Sequence, residues 1–462
     1  MSITTALTER WDADHIALID DQGPLTYGEL EERIGKTRTW LAQRGVAPGD
    51  VLAVQLPKSR AALELFLATV SIGAVFLPIN HRATTAEADA LSTDSNAVLT
   101  VRIAPRLAGL RPLPASEVDR DSEAVRLYTS GTTGRPKGAR LSHNNVLATV
   151  RALHEAWGWR RDDVLLHCLP MHHVHGLFVA QLGALYAGAR TEWHDGFDTA
   201  AVLRDLPDAT VFMGVPTFYH RLLQQPELEQ TDLSAMRLFT SGSAPLPAHE
   251  HSAFAERTGH RIVERYGMTE VGIVLSNPLD GERRPGRVGL PLPGVRVRVV
   301  EPGTVAQVDD GVVGMLHIKG PSVFLGYHER PEATAAALLD GGWMRTGDLV
   351  ERDDTGSHRI VGRLDDLVLT GGFNVYPSEV EQALTQLPGV DEALVYGVSD
   401  DDLGMALHAQ FIGEASPDDL REALRGTLSG YKVPRAFHSV SELPRNAMGK
   451  LVRPRGGIDP LA

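Results

Sequence analysis

The sequence predicts an α/β protein: a large N-terminal domain of layered α/β subdomains, followed by a small α+β C-terminal domain. Three observations carry that expectation. Segments with helical spacing alternate with short β-rich runs such as Val51–Leu56, Thr210–Val215 and Val295–Val300, the pattern of helices layered on sheets. The stretch from Asp340 to Gly372 is dense in Gly and Asp and reads as turns and connections. Beyond it the pattern changes to a unit of about a hundred residues, a usual domain size. The boundary falls at Arg363, giving domains of residues 1–363 and 364–462.

The elements follow in order. The longest apolar stretch, Leu65–Ile79, is interrupted by Thr69, Ser71, Gly73 and Pro78 and falls short of the ~20 residues that span a bilayer. Ala124–Leu127 is a short strand-like run that enters a glycine-rich loop. In the C-terminal unit Ser378 and Glu381 have capping-box spacing, and Val380, Ala383, Leu384 and Leu387 fall at i, i+3, i+4 and i+7. Ser378–Leu387 is therefore expected as a short amphipathic helix, Ala393–Val398 and Ala406–Ile412 as strands, and Asp418–Leu428 as a second helix.

The 462 residues carry 45 Lys and Arg against 59 Asp and Glu, a formal charge of −14. That balance argues against nucleic acid or an anionic membrane as a partner, since either needs a broad basic face. It leaves room for a local basic pocket around a small anion. Cys168 is the only cysteine, which excludes an intramolecular disulfide and fits a reducing compartment. Met1–Arg10 has neither the basic start nor the apolar core of a secretory signal, so a cytoplasmic location is expected.

The sharpest local signal is Tyr128-Thr129-Ser130-Gly131-Thr132-Thr133-Gly134-Arg135-Pro136-Lys137-Gly138. Glycines let a backbone turn tightly and present several N–H groups to one anion. The hydroxyls of Thr129, Ser130, Thr132 and Thr133 add donors, and Lys137 adds a cation, so the loop reads as a phosphate cradle. It is not a Walker A loop, because the fifth residue after Gly131 is Pro136 where that pattern requires Gly.

Six further segments complete an ordered set: Pro170-Met171-His172-His173-Val174-His175-Gly176, Ser241-Gly242-Ser243-Ala244-Pro245-Leu246, Tyr266-Gly267-Met268-Thr269-Glu270, Trp343-Met344-Arg345-Thr346-Gly347-Asp348, Gly362-Arg363-Leu364-Asp365 and Pro444-Arg445-Asn446-Ala447-Met448-Gly449-Lys450. Together with the loop they resemble the motifs of the adenylate-forming superfamily, which holds acyl-CoA synthetases, peptide-synthetase adenylation domains and luciferases. The resemblance implies a large N-terminal domain and a mobile C-terminal one. It also implies ATP, Mg²⁺ and coenzyme A as cofactors and a two-step reaction: ATP adenylates an acid, then a thiol displaces AMP. No protein nucleophile is needed, so catalysis rests on positioning and charge stabilisation.

The same resemblance implies the residue roles. Thr129, Ser130, Gly131, Thr132, Thr133, Gly134 and Lys137 would hold the β- and γ-phosphates, Glu270 Mg²⁺, and Thr269 the α-phosphate. Ser243, Ala244, Pro245 and Tyr266 would line the adenine site, with Asp348 and Arg363 at the ribose. Lys450 would place its ammonium between carboxylate and α-phosphate, His173 would stand at the acyl pocket and the entrance for coenzyme A, and Asp365 would be the hinge. Gly371 and Gly372 would give the pantetheine arm room to pass. His172, His173 and His175 invite a zinc reading, but no further ligand cluster is nearby in the sequence and zinc is not expected.

Arg265 speaks to the acid. If its segment is extended, Arg265 and Gly267 face one side and Tyr266 the other, compatible with Tyr266 on adenine and Arg265 in the acid site. A long or aromatic acyl tail gains nothing from a buried guanidinium, whereas the free carboxylate of a dicarboxylic acid suits its bidentate fork. The text around it, Glu264–Glu270 and Ser276–Arg283, and also Gly371–Pro377, resembles the malonyl-CoA synthetase branch, which implies malonate or methylmalonate. The structural alternative is an ion pair between Arg265 and a nearby carboxylate. Among functions, the alternatives are a ligase for another short acid and a stand-alone adenylation enzyme that loads a separate carrier protein.

Overall fold

The alternating runs assemble, in a computed structural model that describes residues 1–129, 136–445 and 451–454, into two units. The first unit comprises Met1–Leu246, Glu250–Val297 and Ile318–Arg345, and the second Pro247–His249, Arg298–His317 and Thr346–Ala462.

Among the described residues of the first unit the larger sheet runs, in spatial order, Leu290–Pro291, Gly272–Ser276, Val263–Met268, Leu238–Ser241, Val211–Gly214, Val164–His167, Arg190–Trp193, Ile16–Asp20 and Gly23–Thr26. Its middle strands are parallel and its outer pairs antiparallel. The apolar residues of those middle strands split cleanly by alternation. Leu165, Val211, Met213, Leu238 and Val263 pack under Leu153 and Trp157 and under Val179 and Ala180 of His175–Leu182. Leu166, Phe212 and Phe239 pack on the other face under Val202, Tyr219, Leu222 and Phe254. A strand covered on both faces reads as a continuous apolar run, which is what made Thr210–Val215 legible. A second sheet holds Val51–Val54 between Val75–Pro78 and Ala97–Val101, and continues through Glu123–Thr129 and Lys137–Ser142 to Gly326–Tyr327. The apolar stretch Leu65–Ile79 divides into the end of the helix Arg60–Ser71 and the strand Val75–Pro78.

The second unit contains a three-stranded sheet, Glu392–Asp400, Gly404–Ile412 and Ala436–Ser439, covered by the helices Pro377–Thr385 and Pro417–Thr427. These elements match the sequence expectation. Two local expectations do not hold. The Gly- and Asp-dense stretch is not only turns: Trp343–Arg352 and His358–Arg363 form a hairpin in which Asp348 faces Arg363 and Arg352 faces His358. The turn residues merely close it, Asp353 Oδ1 accepting from the N–H groups of Thr355 and Ser357 at 3.0 Å each. Nor do Ser378 and Glu381 form a capping box. Pro377 takes the first helical position, where its missing N–H costs nothing, and Tyr376 becomes the cap. Ser378 Oγ instead donates to Val361 O, while Glu381 accepts from Val395 N–H at 2.8 Å and from Arg453 at 2.6 Å.

One buried polar anchor fixes the larger sheet. Asp163, 2% exposed as a side chain, accepts from Arg160 N at 2.7 Å, Thr210 Oγ1 at 2.9 Å and Arg237 Nε at 2.7 Å. Replacing Asp163 by Ala leaves Arg237 with an uncompensated charge, and the expected loss is about 3 kcal/mol. Urea unfolding checks this: a loss under about 1 kcal/mol, the scale of an exposed pair, would contradict it.

Candidate active site

In a doubly wound sheet the functional crevice lies beyond the carboxyl ends of the parallel strands. Three strands of the larger sheet deliver the sequence motifs there. Val263–Met268 carries Arg265 and Tyr266 and runs on to Thr269 and Glu270. Leu238–Ser241 runs into Gly242 and Ser243, and Val164–His167 leads on toward His172, His173 and His175.

Arg265 is the odd residue at these ends. It is 6% exposed, yet its Nε and Nη2 have no hydrogen-bond partner among the described residues. Among the described residues it makes no ion pair. The neighbouring Glu264 accepts instead from Gly286 N–H at 2.9 Å. Burial pulls Arg265 down to about 9, still charged at neutral pH. The strand is extended, as its alternation requires, with a register irregularity between Tyr266 and Gly267 against Gly272–Ser276. Gly242 lies flat against the guanidinium: a Cβ there would sit 2.3 Å from Cζ, so the close approach requires glycine.

Beside it stands a residue whose role sequence reasoning left open. His175 opens a π-helix, His175–Leu182, a geometry found often at functional positions. Its Nδ1 is 3.4 Å from Ser243 Oγ, and its Nε2 is buried without a partner among the described residues. Ser243 has φ 71°, a strained conformation for a non-glycine residue and one that clusters at ligand sites. The only sequence signal for His175 was its place as the third His of Pro170–Gly176. The first two, His172 and His173, have ring centroids 4.1 Å apart. Among the described residues no three His, Cys, Asp or Glu side chains converge on a metal position.

The residues expected around the phosphates stand on other elements of the first unit. Thr129 and Lys137 pair across the neck of their hairpin, while Ser130, Gly131, Thr132, Thr133 and Gly134 lie outside the described residues. Lys137 Nζ stands 5.5 Å from the ring centre of Tyr327, whose hydroxyl donates to Glu270 Oε1 at 2.7 Å. Tyr327 carried no signal of its own in the sequence, and its contact spans residues far apart in the chain. Glu270 is 5% exposed, an oxygen donor of the kind that a hard cation bridging phosphates takes from a protein, so it fits Mg²⁺. Ser243, Ala244 and Pro245 form an exposed segment.

In the second unit Arg363 Nε is 3.2 Å from Asp348 Oδ1 and Arg363 Nη2 donates to Thr346 O at 3.1 Å. The two residues expected at a ribose are thus cross-strand partners. Asp365 is exposed in the single turn Leu364–Asp366. Gly371 and Gly372, at φ 53° and 83°, form the two-residue turn between Val368–Thr370 and Phe373–Val375. A turn with positive φ at both positions calls for glycine on backbone grounds alone. Lys450 lies outside the described residues.

The ordered motifs and the division into two units point to an adenylate-forming class, and family comparison agrees. Residues 7–111 and 102–328 match the AMP-binding enzyme model, and residues 379–450 match the AMP-binding enzyme C-terminal domain. The chain belongs to the AMP-binding enzyme family, and the adenylate-forming fold expected from the motifs is borne out. It is 40% identical to ATP-bound MatB from Rhodopseudomonas palustris, with a TM-score of 0.94 over 98% of this chain and 97% of that one. It is 35% identical to the mitochondrial malonate–CoA ligase of Mus musculus over 95% of this chain and 87% of the relative. It is equally 35% identical to a feruloyl-CoA synthase of Amycolatopsis, over 93% of this chain and 92% of the relative. No helix among the described residues is long and apolar enough to cross a membrane.

Glu264 supplies a pH test of the strand that holds Arg265. Burial pushes its carboxyl up to about 8, against 4.5 ordinarily. The folded chain therefore keeps this proton longer than the unfolded chain does. The contribution to stability is full below about pH 4.5 and is lost as pH rises toward 8. Glu264→Gln should flatten that decline in urea midpoints measured from pH 5 to pH 8, while parallel curves for the two proteins would contradict the assignment.

Proposed function

We propose that the chain is an ATP-dependent, AMP-forming ligase that converts malonate to its coenzyme A thioester through an acyl-adenylate. Relatives at the same identity act on acids as different as malonate and ferulate, by their names, so overall similarity does not choose the substrate. What supports malonate is one observation: a buried guanidinium with two N–H positions that have no partner among the described residues. A charge left so costs several kcal/mol, and an anionic partner offsets that cost best. Once one carboxylate of malonate has been adenylated, the other remains ionised and fits the Arg265 fork. A feruloyl tail offers no such group. The ion-pair alternative has no carboxylate among the described residues to support it.

In the first half-reaction a carboxylate oxygen of the acid attacks the α-phosphorus in line and pyrophosphate leaves. Thr129, Ser130, Gly131, Thr132, Thr133, Gly134 and Lys137 hold the β- and γ-phosphates, and Thr269 orients the α-phosphate. Ser243, Ala244, Pro245 and Tyr266 hold the adenine, and Asp348 and Arg363 the ribose. Lys450 neutralises charge where carboxylate and α-phosphate converge. Glu270, steadied by Tyr327, is the residue that would hold Mg²⁺, which when bound offsets phosphate charge. In the second half-reaction the thiol of coenzyme A attacks the acyl carbon and AMP leaves. Asp365 serves as the hinge of the C-terminal domain, with its boundary at residues 363 and 364. Gly371 and Gly372 border the pantetheine path, His173 guards its entrance, and the reaction takes place in the cytoplasm.

The test is release of AMP and formation of thioester with malonate, methylmalonate, acetate or a fatty acid, with and without coenzyme A. Malonate should be used well and acetate poorly. Arg265→Ala should lower kcat/KM for malonate about 100-fold, the cost of removing one partner from a buried charge pair, with little change in KM for ATP. Good acetate activity without malonate activity, or an Arg265→Ala enzyme that still prefers malonate, would overturn the reading. Adenylate formation with no transfer to coenzyme A would point instead to loading of a carrier protein.

A further inference from the structure

Arg265 accounts for the charge of a distal carboxylate but not for the second polar position beside it. We propose that His175, held by Ser243, is a specificity-determining residue that donates a hydrogen bond from Nε2 to that same carboxylate; this rests on the malonate reading above.

The geometry carries the assignment. Ser243 Oγ lies 3.4 Å from His175 Nδ1. A hydroxyl proton donated there leaves the imidazole proton on Nε2, since a neutral ring has one donor and one acceptor nitrogen. Nε2 of His175 is buried with no hydrogen-bond partner among the described residues, as are Nε and Nη2 of Arg265, and the Arg265 charge disfavours a second proton on the ring. Unsatisfied donors on the strand Val263–Met268 and on the first residue of the π-helix His175–Leu182 describe the acceptor of a bound ligand. The surroundings also set the charge count. Burial first, then the Arg265 charge, holds the His175 ring neutral. One guanidinium and one neutral donor match one carboxylate, whereas an imidazolium would leave a surplus positive charge in the buried site. Ser243 explains the strain of its own backbone on this account: φ 71° places its hydroxyl on Nδ1, and the energy stored there is the cost of fixing the tautomer.

A monocarboxylic acid such as propionate, with a methyl group where malonate has its second carboxylate, leaves both donor groups unpaired. Sites built on buried hydrogen-bonding groups reject analogues that lack the partner far more strongly than apolar pockets reject a missing methyl.

The experiment compares malonate and propionate with wild-type enzyme, His175→Phe, His175→Gln and Ser243→Gly, reading acid-dependent ATP–pyrophosphate exchange and KM for each acid and for ATP. His175→Phe should lower the malonate-to-propionate ratio of kcat/KM at least tenfold. His175→Gln, which keeps an N–H near the position of Nε2, should recover most of the ratio. Ser243→Gly, which adopts positive φ freely and lacks the hydroxyl, should shift the ratio the same way by a smaller factor and covers the case in which the Phe variant fails to fold. An unchanged ratio in His175→Phe and Ser243→Gly, or an equal loss for both acids, overturns the role of His175 while leaving the malonate reading intact. A wild-type enzyme indifferent to malonate overturns both.

Discussion

A buried positive charge with no counterion among the described residues is the constraint on which this site turns. Arg265 is buried on its strand, 6% exposed, so little of the guanidinium is open to solvent. Such a placement is tolerable only because the surrounding backbone is shaped to it. Gly242 gives up a side chain so that the guanidinium can lie against the adjoining strand end, and Ser243 accepts a strained φ one residue later. The same low-dielectric setting that makes the unpaired cation costly makes an anionic ligand bind strongly and with direction. Ligand selection and local instability are thus two sides of one arrangement.

The remaining polar residues of the first unit serve a different task. Glu270, Tyr327 and Lys137 form a cluster at the neck of the glycine-rich loop, on elements paired in the second sheet or joined to it by hydrogen bonds. On the proposed reading, the residues that handle the nucleotide are separate from those that read the acid. Such a division would let chains equally similar overall carry names with malonate and with ferulate, the acid being read at a few positions near Arg265.

Much of this was legible in the sequence, and for a physical reason. Phosphate, ribose and carboxylate each demand a narrow choice of residue types at fixed spacing, so Thr129–Gly138, Glu270, Asp348 and above all Arg265 stand out as text. Doubly covered strands such as Val211–Gly214 announce themselves as unbroken apolar runs. What escaped depended on contacts between distant segments. The hairpin of Trp343–Arg352 and His358–Arg363 hides among Gly and Asp because its turn residues dominate the pattern. Ser378 looks like a helix cap until Val361 O competes for its hydroxyl. His175 gains meaning only when Ser243, far along the chain, is brought to its Nδ1, and Tyr327 only when Glu270 reaches its hydroxyl.

The most direct measurement of the central claim is a crystal structure of the protein with a hydrolysis-resistant malonyl-adenylate analogue. The account predicts the free carboxylate within about 2.7–3.2 Å of Arg265 Nε and Nη2, ordinary hydrogen-bond range. A free carboxylate directed away from Arg265, with the guanidinium paired to a side chain of the protein, would contradict it.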